Sequence, residues 1–70
     1  MKLTRRQGEI AELAALGLPN KTIARQLGIT EGTVKLHMQE IFARLGIHSR
    51  TVLAARWRLD TGDVGVGRLG

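Results

Sequence analysis

The chain predicts an all-α domain, a four-helix bundle-like arrangement with a central helix-turn-helix. Three observations lead there. Apolar residues recur at helical spacing from Ile10 to Trp57, as in Val34, Met38, Ile41 and Leu45, which marks helices with one buried side. Gly17, Gly28 and Gly46 are each followed by an apolar residue just where such a stripe ends; a left-handed glycine closes a helix in this way and folds the next side chain back over the last turn. No stretch alternates apolar and polar residues as a half-buried strand would.

Thr4 followed by Gln7 is a capping-box arrangement, so the first helix starts near Arg5 and runs to about Leu16. Ile10, Leu13 and Ala14 give it a buried side, and Leu18, after Gly17, is placed to close over Leu13. Pro19 and Asn20 suit the start of a second helix, where a missing N–H costs little and an Asn side chain can cap. That helix carries Ile23, Ala24 and Leu27 on one side. The break Gly28-Ile29-Thr30 is short enough to force a steep crossing, with Ile29 closing onto Ala24 or Ile23 and Thr30 capping the next helix. Helix three spans roughly Glu31 to Leu45, with Val34, Met38, Ile41 and Phe42 as core, and Ile47 after Gly46 closes onto Phe42. Ser49 then caps a fourth helix that continues to about Leu59, with Leu53, Ala54 and Trp57 inward. Residues 1–59 therefore form one domain, and 60–70, with four glycines and few large apolar groups, are expected to be a flexible tail.

Seventy residues allow one small core. With no cysteine there is neither a disulfide framework nor a thiolate metal site, and a reducing cytoplasm is the expected compartment. No run approaches membrane-span or signal-peptide character. Eleven Lys and Arg against six Asp and Glu give a formal charge of +5, which suits a polyanionic partner. Phe42 and Trp57 are the only aromatics, too few to stack single-stranded bases, so duplex DNA is favoured over RNA. His37 and His48 without cysteine make a zinc site a poor expectation, the acidic residues fall in no catalytic motif, and no glycines have phosphate-loop spacing. The chain is expected to be no enzyme and to carry no cofactor.

Turning the apolar stripe of helix three inward leaves Gly32, Lys35, Leu36, Gln39 and Ala43 outward, with Thr33, His37, Glu40 and Arg44 along one flank. Lys35 can donate to guanine O6 or N7, Gln39 can pair with adenine N6 and N7, and Leu36 can meet a thymine methyl. Lys21 and Arg44 offer charge to phosphates, and Thr33 with the first amides of helix three can donate to a phosphate oxygen.

Several spaced motifs, LT-R-Q-E-I at Leu3 to Ile10, GLPNKTIA at Gly17 to Ala24, LGITEGTVKLH at Leu27 to His37, then Ile41, Leu45-Gly46 and Ser49 to Thr51, resemble the LuxR-type (GerE/FixJ-like) DNA-binding domain of bacterial transcription regulators. The likeness covers about residues 3–59. It implies four helices, the third in the major groove, and a fourth that mediates dimerisation on two-fold-related half-sites. Carried onto matching positions, it makes Lys35, Leu36 and Gln39 the base-facing set and Lys21, Thr33, His37 and Arg44 the backbone-contacting set. Val52, Ala55, Arg56 and Leu59, off the inner face of helix four, become the dimer candidates, against the plainer reading of a solvated side. A sensory or receiver domain is implied in the full-length protein, as in a response regulator, and DNA binding would place it at the nucleoid. Gln7 and Gly8 depart from the family's acidic and larger residues and are expected to weaken the first cap and its ion pairing.

Arg50 suits either DNA or an ion pair with Glu9 or Glu12. Two other functions remain open from the sequence: a sigma-factor-like promoter-reading domain, against which the Lys-x-His step at 35–37 and a helix starting after Ser49 both speak, and a basic helical module for an acidic protein partner.

Overall fold

The computed structural model describes residues 3–59, so the tail expected at 60–70 lies outside the described residues. Four helices occupy them: α1 (Arg5–Ala15), α2 (Asn20–Leu27), α3 (Glu31–Leu45) and α4 (Arg50–Trp57). α1 packs against each of the other three and α2 packs against α3. The core takes at least one fully enclosed large side chain from every helix: Ile10, Ile23, Val34 and Ile41, and Leu53. Each such burial stabilises the fold by about 1.5–3 kcal/mol.

Because α1 meets three helices, its buried sector is wider than the sequence stripe suggested. Gln7 and Ala11 join Ile10 and Ala14 inside, while Leu13 moves to the margin and is half-buried. Phe42 is likewise marginal, packed on the core from its edge.

The caps explain where the helices begin. Thr4 Oγ1 accepts from the Gln7 N–H at 3.1 Å, and Gln7 Oε1 accepts from the Thr4 N–H at 3.2 Å. The expected weakening of this cap does not occur. Gln7 gives the cap an oxygen as a glutamate would, and its amide nitrogen also donates to Glu40 Oε1 of α3 at 2.6 Å. Thr30 and Ser49 cap α3 and α4 through their hydroxyls. At α2 the expected Asn20 cap is not made: Pro19 holds the capping position in extended backbone with no side-chain bond, and Asn20 is already helical. Its Oδ1 accepts instead from Arg50 Nη2 at 2.8 Å, while Arg50 Nη1 donates to the Leu18 carbonyl at 3.1 Å. Arg50 thus pairs with neither Glu9 nor Glu12. As the first residue of α4 it meets the α1–α2 connection, where the Leu18 carbonyl lies outside any helix.

The glycine stops behave as their spacing predicts. Gly28 (φ 71°) and Gly46 (φ 67°) are left-handed, and the Ile29 and Ile47 N–H groups donate to the Ala24 and Phe42 carbonyls, both at 3.0 Å. Leu18 N–H reaches the Leu13 carbonyl at 3.2 Å. The α-helical part of α4 ends at Trp57, and Arg58 and Leu59 carry the chain on as a wider, π-type turn, in line with the expected end near Leu59.

A Cβ at Gly28 meets no atom within 4 Å, so the cost of Gly28→Ala is the backbone conformation alone, about 1–2 kcal/mol. The expected drop in thermal midpoint is roughly 4–8 °C per kcal/mol for a domain this small, measured by circular dichroism; an unchanged midpoint would show that the turn does not need its left-handed residue.

Candidate nucleic-acid interface

Helix α3 has two unlike sides, and the inner one sets the outer. Val34, Met38 and Ile41 are buried, and they fix the rotation of the helix about its axis. Lys35, Leu36 and Gln39 then fall in open positions, in line with exposed Gly32 and Ala43. Leu36 is 61% exposed, an apolar side chain left in water at the middle of this stripe. The absence of a side chain at Gly32, where an added Cβ would have only Thr30 Oγ1 at 3.9 Å, keeps the first turn low.

The start of α3 offers donors. Thr30 Oγ1 accepts from the Thr33 N–H at 3.1 Å and lies 2.9 Å from Thr33 Oγ1, so the two hydroxyls share one hydrogen bond and are held in a fixed geometry. Glu31, exposed in the first turn, offsets part of the positive helix terminus. Lys21 is exposed in the first turn of α2, and Arg44 is exposed in the last turn of α3. The base-facing and backbone-facing sets expected from the sequence therefore all lie on α2 and α3, which pack on one another.

His37 differs from its neighbours on that flank. Its side chain is 27% exposed and Nδ1 lies 3.9 Å from Glu40 Oε1, too far for a hydrogen bond. Nδ1 is enclosed and has no hydrogen-bond partner among the described residues. The same Glu40 oxygen accepts the Gln7 amide. Sequence reasoning did not find this link, since Gln7 and Glu40 are far apart in the chain and neither spacing nor residue type pairs them.

On α4, Val52, Ala55 and Arg56 are exposed, and Leu59, 69% exposed, lies in the π-type turn that continues the helix. Arg56 Nη1 donates to the Leu45 carbonyl at 3.0 Å, so this guanidinium covers the C-terminal end of α3. Among the described residues no three His, Asp or Glu side chains gather as a metal site, and no helix is long and apolar enough to cross a membrane.

Comparison with known proteins adds to this geometry. The family model for bacterial regulatory proteins of the luxR family matches residues 1–57. The nitrate/nitrite response regulator protein NarL of Escherichia coli is 50% identical over 56 residues, covering 80% of this chain and 26% of that protein. The two-component response regulator PprB of Pseudomonas aeruginosa is 47% identical over 53 residues, 76% of this chain and 19% of that protein. The transcriptional regulatory protein LnrK of Bacillus subtilis is 44% identical over 54 residues, 77% of this chain and 24% of that protein. The chain thus spans about a quarter or less of the length of these relatives. With its helix-turn-helix formed by α2 and α3 and a family model covering nearly all its described residues, the chain belongs to the luxR family of bacterial regulatory proteins, a family of DNA-binding transcription regulators.

Proposed function

We propose that this domain reads a specific duplex operator by seating α3 in the major groove, as a dimer on two-fold-related half-sites. The observation that carries the reading is the exposed stripe Lys35, Leu36 and Gln39 on a helix whose other side is locked into the core. Lys35 donates to guanine, Gln39 pairs with adenine, and Leu36 contacts a thymine methyl, each good match worth about 1–3 kcal/mol of discrimination. Lys21, Thr33, His37 and Arg44 hold the phosphates on either side and fix the register. Val52, Ala55, Arg56 and Leu59 form the dimer contact, with exposed Val52 and Leu59 as its apolar part. The input comes from a receiver or other sensory domain in the full-length protein, in keeping with relatives named as response regulators, and the site of action is the bacterial cytoplasm, on the nucleoid.

Selection of bound duplexes from a random-sequence pool, followed by affinity measurement at two salt concentrations, tests the reading. A recovered consensus with two-fold symmetry supports it; no preference over random duplex would favour an acidic protein partner instead. If each protomer neutralises roughly four phosphates, the dimer has a salt slope on the order of −7, from about −0.9 per phosphate.

Lys35→Ala and Gln39→Ala, both at exposed positions, leave the fold intact and lower discrimination at one base pair each by about 1–3 kcal/mol. Affinities across single-base variants of the selected site report this, and a mutant that discriminates as well as the parent counts against the assignment. Lys21→Ala weakens binding to every duplex alike and flattens the salt slope by about one unit per protomer; a loss confined to one sequence would instead make Lys21 a base reader.

A further inference from the structure

We propose that Glu40, anchored by Gln7, is a positioning residue that makes His37 hold the DNA backbone as an imidazolium, so that duplex binding takes up a proton. The inference rests on the DNA-binding reading above and adds a regulation to that site.

The anchoring comes first. Gln7 is 2% exposed, and its oxygen is tied to the Thr4 N–H while its nitrogen donates to Glu40 Oε1 at 2.6 Å. That oxygen is therefore referenced to α1 and does not swing freely with the rest of an exposed side chain. It stands 3.9 Å from His37 Nδ1, whose enclosed nitrogen has no hydrogen-bond partner among the described residues. In the DNA-bound state the ring and the carboxylate close this gap to hydrogen-bond distance. Since Nδ1 is enclosed while 27% of the side chain is exposed, the accessible edge is left to the other ring atoms, Nε2 among them.

The three forms of the ring differ in what they offer to the two sides. With the proton on Nδ1, the ring donates to Glu40 but presents a lone pair at Nε2, which repels a phosphate oxygen. With the proton on Nε2, the ring donates to the phosphate but turns a lone pair toward the carboxylate. The imidazolium alone donates in both directions, and both bonds are then charge-assisted. In the free protein water can donate or accept at Nε2, so the neutral ring meets no such conflict. The DNA-bound state thus holds more protons than the free state, and affinity rises as pH falls through the histidine range.

The surrounding charges do not duplicate this arrangement. On α1, Glu9 is paired with Arg6 at 3.3 Å, and Arg5 and Glu12 are exposed. Lys21 and Arg25 on α2 and Glu31, Lys35 and Arg44 on α3 are exposed as well. Arg50 and Arg56 of α4 are bound to carbonyl and amide oxygens elsewhere. The other histidine, His48, is exposed in the α3–α4 connection.

The test measures dissociation constants at fixed salt and pH 8, 7 and 6 for the parent, E40Q, H37Q and H48Q, using a duplex that the parent selects from a random pool. Circular dichroism confirms that each variant is folded. Uptake of up to one proton per protomer tightens binding by up to about tenfold per pH unit for each protomer. E40Q binds with a flat profile, because a glutamine amide can donate to Nδ1 and leave a neutral Nε2–H for the phosphate. H37Q is flat as well, whereas H48Q keeps the parent's slope. A parent that binds with a flat profile, or an E40Q slope equal to the parent's, overturns the inference alone. A parent that binds no duplex at any pH overturns the DNA-binding reading and this inference with it.

Discussion

The structure depends on the rotation of α3 about its own axis. Val34, Met38 and Ile41 are buried in the core where α3 packs on α1 and α2, and a rotation by one residue position, roughly 100°, would drag polar groups into that core. Exposing even one of the enclosed side chains forfeits about 1.5–3 kcal/mol, and a domain of this size has only several kcal/mol of net stability. Lys35, Leu36 and Gln39 are therefore held outward by burial on the opposite side and not by contacts of their own. This is what a reading surface requires, because side chains that make no internal bonds are available to a partner while their backbone is rigid.

The turn between α2 and α3 is the second requirement. Left-handed Gly28, the Ile29-to-Ala24 backbone bond and the Thr30 hydroxyl cap on the Thr33 N–H close one helix and open the next within three residues. No slack remains for the helices to change their crossing. Fixing the crossing also fixes the placement of the Lys21 backbone on α2 relative to that of Lys35 on α3, so in the proposed complex a phosphate and a base edge are engaged together only at one register.

Signals that act over three to five residues were legible in the chain: the capping box at Thr4 and Gln7, the three glycine stops and the hydroxyl caps all stand where the spacing puts them. The orientation of α3 was legible too, because its apolar stripe leaves no other face to bury. What could not be read were polar contacts between distant segments. Arg50 has several acceptors within reach of its long side chain, and only the packing of α4 on α1 decides that the Leu18 carbonyl and Asn20 receive it. The same holds for Gln7 and Glu40, where burial of Gln7 follows from α1 being surrounded and not from its polarity. The Asn20 cap failed for a local reason: Pro19 is itself comfortable in extended backbone at the capping position, so the helix begins one residue sooner and the Asn oxygen is released for Arg50.

These contacts change the meaning of the formal charge of +5. Arg50 and Arg56 are bound to oxygens of other segments, so two of the cations tie α4 into the fold, while Arg6 faces Glu9 within α1. Lys21, Arg25, Lys35 and Arg44 are exposed on α2 and α3, and Arg5 and Arg58 are exposed on α1 and after α4. Counterion release counts phosphates that a protein neutralises and not its net charge. It follows that a relative of equal net charge, but with its basic residues spread over α1 and α4, would bind duplexes with a shallower salt dependence. Which basic residues stand on α2 and α3, and not the net charge alone, is therefore the electrostatic property that bears on duplex binding.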